Sequence, residues 1–228
     1  MKIKVSIFLI LFFTQSIFAA QEFQWARVKF DTKRDIIDKW DIDLQFDLDF
    51  LRAVQEMTTL KVDIKVNTVS FENLDEVTKY PLVFIHGEGE PNFSEKEVKN
   101  MREYMLRGGF IFADDCVYQK KGDYFFKGMR EVLETRVFPE KKLELLPITH
   151  EIYHCHFEFP EGLPYIQGVN HGGWGLSDEK GRLMVFLCST DLHCGWGKDK
   201  EGKKWFGEKK FIEACKMGIN IIIYALTH

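Results

Sequence analysis

Once its first twenty residues are passed, this chain has no long apolar run. Met217 to Leu226 comes nearest, and a bilayer-crossing helix needs about 20 such residues, so no later membrane span is expected. Concentrated positive charge is missing too. The 31 Lys and Arg stand against 35 Asp and Glu, a net charge of −4, and no basic stripe marks a nucleic-acid partner. Lys198 to Lys210 alternates Lys with Asp, Glu and Gly and reads as a solvated loop. There is no Cys-x-x-Cys pair, and the cysteines are five: Cys116, Cys155, Cys188, Cys194 and Cys215. An odd count in a domain of this size excludes a disulfide scaffold. Cys188 and Cys194 lie closest in sequence and leave one bridge open, with buried thiols accounting for the others. No internal repeat and no low-complexity linker divides the chain.

The opening residues form a pattern of their own. Lys2 and Lys4 precede the apolar Ile7 to Phe13, and Ala19-Ala20 gives a small-residue exit. Residues 1–20 therefore read as a secretory signal peptide, with an apolar core too short to span. The expectation is an exported protein, periplasmic or extracellular, with residues 21–228 forming one domain and no stable membrane span after signal removal.

Along that domain, Phe23 to Phe30 and Val62 to Val69 alternate as half-buried strands, while Leu48, Leu51, Val54 and Met57 form a helical stripe. Pro81 opens a buried strand, Leu82 to Ile85, that stops at His86-Gly87. Ser94-Glu95-Lys96-Glu97 is a capping box, and its helix ends at Gly108-Gly109. The apolar Phe110 to Ala113 follows, closed by Asp114 and Asp115. An amphipathic Phe125 to Thr135, a short apolar Leu143 to Leu146, a strand Leu183 to Cys188 and a helix Phe211 to Leu226 complete the pattern. Pro147 to Gly175 shows little period and reads as an excursion with a few short strands. Strands alternating with helices predict an α/β fold, a layered, mostly parallel sheet with helices on both faces.

In such a sheet ligands gather at the carboxyl ends of the strands. Asp31, His86, Asp114, Asp115 and Asp191 all fall at predicted strand ends. They could hold a divalent metal through hard oxygen ligands, bind sugar hydroxyls, or divide into acid and base if crowding separates their pKa values. Against this, Asp114 could cap a helix, and Asp115 could pair with Arg27 or Arg107. His150-Glu151-Ile152-Tyr153-His154 matches the spacing of a zinc-binding helix, but prolines at 147, 160 and 164 argue against a helix. His150 is kept as a candidate acid, base or ligand. Cys188, His193 and Cys194 with His154 make only a weak zinc set. Trp174 and Trp196 could stack on sugar rings, or pin glycine-rich loops to the body.

Several ordered stretches resemble the bacterial domain-of-unknown-function family 4159. They are Trp25 to Asp31, Gly108 to Asp115, Pro147 to His154, Phe159 to Pro164 and Met217 to His228. The resemblance implies a fold like that of class I glutamine amidotransferases, in a free-standing exported version. It implies no activity. Those enzymes carry a nucleophilic Cys on a Gly-x-Cys-x-Gly turn, which this chain lacks, since Cys116 is followed by Val117 and Tyr118. The expectation is a module binding a polar small molecule, a glycan or an envelope protein in an Asp-rich crevice. In that reading Asp31, His86, Asp191 and Trp196 contact the ligand. The alternative is a hydrolase in which Asp114 or Asp115 works with His150 or His86, with or without a metal.

Overall fold

The computed structural model describes residues 22–35, 39–116 and 123–228. The expected signal peptide lies outside the described residues. No helix among them is long and apolar enough to cross a membrane.

Seven strands form one sheet: β1 (Phe23–Val28), β2 (Val62–Val69), β3 (Leu82–Gly87), β4 (Phe110–Asp115), β5 (Glu144–Leu145), β6 (Trp174–Ser177) and β7 (Leu183–Cys188), in the order β2-β1-β3-β4-β7-β6-β5. The five strands from β2 to β7 run parallel, and β6 turns back antiparallel to β7 and β5. β3, β4 and β7 are buried along their whole length, as expected where helices cover both faces.

Helices α1 (Leu44–Met57) and α6 (Gly207–Thr227) pack on one face, with the one-turn α5 (Leu192–Gly195) at its edge. Their core joins Phe50, Leu51 and Val54 to Trp25, Phe84, Phe112 and Phe186 of the sheet. Helices α3 (Glu95–Leu106) and α4 (Tyr124–Val132) cover the opposite face, with α2 (Leu74–Val77) at its margin. There Met101, Met105, Phe125 and Met129 meet Val28, Ile85, Ile111 and Val185. The five parallel strands feed both cores because successive side chains point to opposite faces. The capping box at Ser94 is formed in both directions. After α3 the chain reverses through Gly108, at φ 103°, and a Cβ on Gly109 would meet the Tyr104 ring at 2.4 Å.

Two differences from the sequence pattern matter for the site. β4 does not stop at Ala113. Asp114 and Asp115 pair in register with His86 and Gly87 of β3, so both acids are strand residues. The loop expected after Cys188 instead turns at once into α5, wholly buried. The 147–175 excursion holds little regular structure: a single 3₁₀ turn (Glu151–Tyr153) and the start of β6. Asn220 of α6 anchors it. Its amide Nδ2 donates to the carbonyls of Ile152 and Phe157, and its Oδ1 accepts from the Phe157 N–H.

Candidate functional site

The alternation of β4 separates the two neighbouring aspartates. Asp114 lies on the face shared with Phe112 and α6, and Asp115 on the face of α4. There Asp115 accepts a hydrogen bond from the Phe126 N–H at 2.7 Å, in the first turn of α4. Burial raises its carboxyl well above the usual range, and Asp114, Asp191 and Asp123 add to the rise, against the Phe126 bond. Neither Arg27 nor Arg107 is its partner: Arg27 pairs with Asp47 and Arg107 with Glu103.

Asp114 occupies the middle of three adjacent parallel strands, between His86 of β3 and Cys188 of β7. Its carboxylate accepts from the His193 N–H at 3.0 Å, from the Leu192 N–H, and from the Cys188 thiol at 3.2 Å. The amides at the start of α5 that have no partner within the helix thus settle on Asp114, the capping role the sequence allowed for it. Burial and the neighbouring Asp191 nevertheless hold its carboxyl well above the ordinary value.

Asp191 caps the same short helix from a left-handed backbone conformation, φ 56° and ψ 56°. For a residue with a Cβ this conformation costs energy and persists only where the surroundings over-determine it. Its carboxylate is held by the Cys194 N–H at 3.1 Å, by the Gln167 amide, and by the thiols of Cys194 and Cys116. Burial is the largest influence on it, and the group is raised to about 6.

His86 is fully buried between Phe84, with which it stacks, and His193, 4.1 Å away centre to centre. Its Nδ1 lies 2.9 Å from the Asp114 carbonyl oxygen. Only an Nδ1–H can satisfy that contact, so Nε2 carries the lone pair. Among the described residues Nε2 has no hydrogen-bond partner. Burial, then His193 and Arg27, push the imidazole well below its usual pKa. It is therefore neutral, and its 3.8 Å approach to the Asp114 carboxylate is no ion pair.

Beneath these groups sits a second polar layer. Arg27 of β1 donates to Asp47 of α1 at 2.6 Å, and Trp25 Nε1 donates to the other oxygen of the same carboxylate at 2.6 Å. His193 Nε2 touches both partners at 3.1 Å. Burial, with Arg27 beside it, lowers His193 to about 4 against the pull of Asp47.

The ligand atoms of His86, Cys116 and Asp191 all lie within 4.8 Å of one another, and all three residues are buried. The structure therefore gathers His86, Asp114 and Asp191 at one strand edge, as sequence position suggested. It leaves out four other candidates. Asp31 is exposed beyond β1, where its carbonyl accepts from the Asn92 N–H. Asp115 faces away. His150 caps the 3₁₀ turn, its Nδ1 accepting from the Ile152 N–H and its ring beside Tyr224. Trp196 is a core residue, stacked on Phe50 at 4.1 Å.

Trp174 has its ring under Arg130 and its Nε1 on the His171 carbonyl. Trp196 has no face open to a sugar, and Arg130 covers one face of Trp174. The His150–His154 pair is not on a helix, and His154 binds Glu158 and the Ile148 carbonyl. No disulfide forms among the described residues; Cys194 shares a hydrogen bond with Cys116, and the Cys188 thiol donates to Asp114. Sequence reasoning missed Arg27, Asp47 and Gln167. The signal for the first two was slight: Arg27 shares a strand face with Trp25, and Asp47 precedes the apolar Leu51 by one helical turn.

Residues 24–226 match the family described as a domain of unknown function, DUF4159. No curated protein matches the chain.

Proposed function

The chain belongs to the DUF4159 family, and on that footing we propose that it is a hydrolase whose reacting groups are His86, Cys116 and Asp191. Asp114 positions them. One observation carries this reading: three side chains of different acid–base character converge from the ends of three adjacent parallel strands on one buried point. Their environments push a carboxyl up to about 6 and an imidazole down, so that near neutral pH both are free to accept a proton. Such a set can activate water by accepting its proton, or by holding a cation that acidifies it. Gln167 is bonded to Asp191 and only half-buried, and in this reading a polar substrate reaches the cluster from its side.

The likeness to class I amidotransferases belongs to this proposal as a shared place and not a shared reaction. Parallel strands deliver reactive groups to one edge, but Cys116 sits on no Gly-x-Cys-x-Gly turn. The leader-like residues 1–20 support an exported hydrolase, periplasmic or extracellular, acting on a polar small molecule. A glycan-binding module draws less support, because Trp196 is a core residue and Arg130 lies over the Trp174 ring.

The test is hydrolysis of p-nitrophenyl acetate, phosphate and glycosides by the purified chain and three variants. Turnover of at least one, lowered about 100-fold or more in Asp191→Asn and unchanged in Asp31→Asn and His150→Ala, supports the reading. Equal rates in wild type and Asp191→Asn would remove it.

A further inference from the structure

We propose that His86 Nε2, the Cys116 thiolate and the Asp191 carboxylate bind one borderline-soft divalent cation of the zinc type. The sequence pointed to a hard cation held through oxygen ligands by acidic strand ends with a nearby His. The structure sets Asp31 and Asp115 apart and brings together one nitrogen, one sulfur and one carboxylate donor, mutually within 4.8 Å. Zinc takes these three donor types with bonds of about 2.0–2.3 Å, which sets tetrahedral donors roughly 3.3–3.8 Å apart. Small rotations of the side chains span the difference. Magnesium and calcium prefer oxygen and leave a thiolate unused.

An independent observation points to a ligand at His86 itself. His86 Nε2 is a wholly buried lone pair without a partner among the described residues. A buried acceptor left this way costs about 1–3 kcal/mol, so its persistence calls for something that occupies it. The other ring nitrogen is already engaged: Nδ1–H bonds the Asp114 carbonyl at 2.9 Å. Metal-bound imidazoles are oriented by this arrangement, with the distal N–H on a carbonyl fixing the tautomer and aiming the lone pair.

The carboxylate ligand is supported in the same way. Asp191 is steadied by the Cys194 N–H and the Gln167 amide. Cys194, hydrogen-bonded to Cys116 and Asp191, lies beside both of these ligands as a second thiol. Charge also fits. A thiolate and a carboxylate balance a dication, while the nearby Arg27 is already neutralised by Asp47 at 2.6 Å.

A cation here would be the water-activating element of the hydrolase, and in that role the inference rests on the reading above. Binding itself does not, so the two can fail separately: metal without turnover sinks only the hydrolase, and turnover without metal sinks only this site.

The test uses the full chain, purified with its thiols reduced, stripped by chelation and titrated with Co²⁺. About one equivalent should bind, giving intense visible bands of tetrahedral cobalt and a near-ultraviolet thiolate-to-cobalt band, and Zn²⁺ should displace it. Cys116→Ser should lose the near-ultraviolet band. Asp191→Asn should weaken binding at least tenfold, while Cys155→Ala, which also removes a thiol, keeps both signals. The proposal is overturned if reduced, folded wild type binds neither Co²⁺ nor Zn²⁺. It is equally overturned if the charge-transfer band persists in Cys116→Ser.

Discussion

Arg27 and Asp47 form an ion pair at 2.6 Å with both side chains fully withdrawn from solvent. The pair links the second residue from the end of β1 to the first turn of α1, and Trp25 and His193 complete it. Through His193, which lies against the His86 ring, it also supports the candidate site from below.

Removing one partner leaves a buried charge uncompensated. Asp47→Ala should therefore destabilise the fold by about 3–5 kcal/mol, read from the midpoint of urea unfolding. Replacing both groups by apolar side chains of similar size, Arg27→Met with Asp47→Leu, should recover most of that loss, since a buried pair rarely outweighs its own desolvation. A double variant as unstable as Asp47→Ala would show that Trp25 and His193, and not the lone arginine charge, set the cost.

The same carboxylate predicts a pH effect. Burial works to raise Asp47, but Arg27 together with hydrogen bonds from His193 and Trp25 outweighs it, and the folded carboxyl lies below the ordinary value. The unfolded chain therefore binds this proton more readily than the folded one. Its contribution to stability is complete above the unfolded value of about 3.9 and disappears as pH falls through the lower folded value. Unfolding midpoints measured from pH 6 down to pH 2 should show an acid-side loss that is missing in Asp47→Asn. A parallel loss in both proteins would assign the acid transition to other groups.

Asn220 is a polar side chain on the buried face of α6, and it holds the 152–157 segment by three hydrogen bonds. Asn220→Leu should cost about 2 kcal/mol or more, because it leaves buried backbone groups of Ile152 and Phe157 unpartnered. The loss should be local. Hydrogen exchange at residues 151–159 should accelerate while β3, β4 and β7 keep their protection. Uniform acceleration across the sheet would mean that the excursion is part of the cooperative core.

Periodicity and punctuation carried most of the fold. The apolar runs of β3, β4 and β7, the capping box at Ser94 and the Gly108-Gly109 reversal were all legible, since each depends on residues within one turn or strand. The strand-end rule located His86, Asp114 and Asp191 as well. It misjudged Asp115 by assuming that β4 ended at Ala113. Pairing with His86 and Gly87 extended the strand by two residues, and alternation then sent the neighbouring acids to opposite faces. Trp196 was misjudged for a related reason. A tryptophan among glycines reads as a loop residue until the helices that bury it are in place.

What local sequence determined by itself, then, was the layered α/β class and the edge of the sheet where polar groups collect, because burial patterns and backbone preferences are properties of short segments. Which of those groups meet was decided only in three dimensions. His86, Cys116 and Asp191 lie on separate strand ends, and no spacing in the chain encodes a distance of a few ångströms between them. The ion pair beneath them and the unpartnered Nε2 of His86 exist only because strand order and register close that gap.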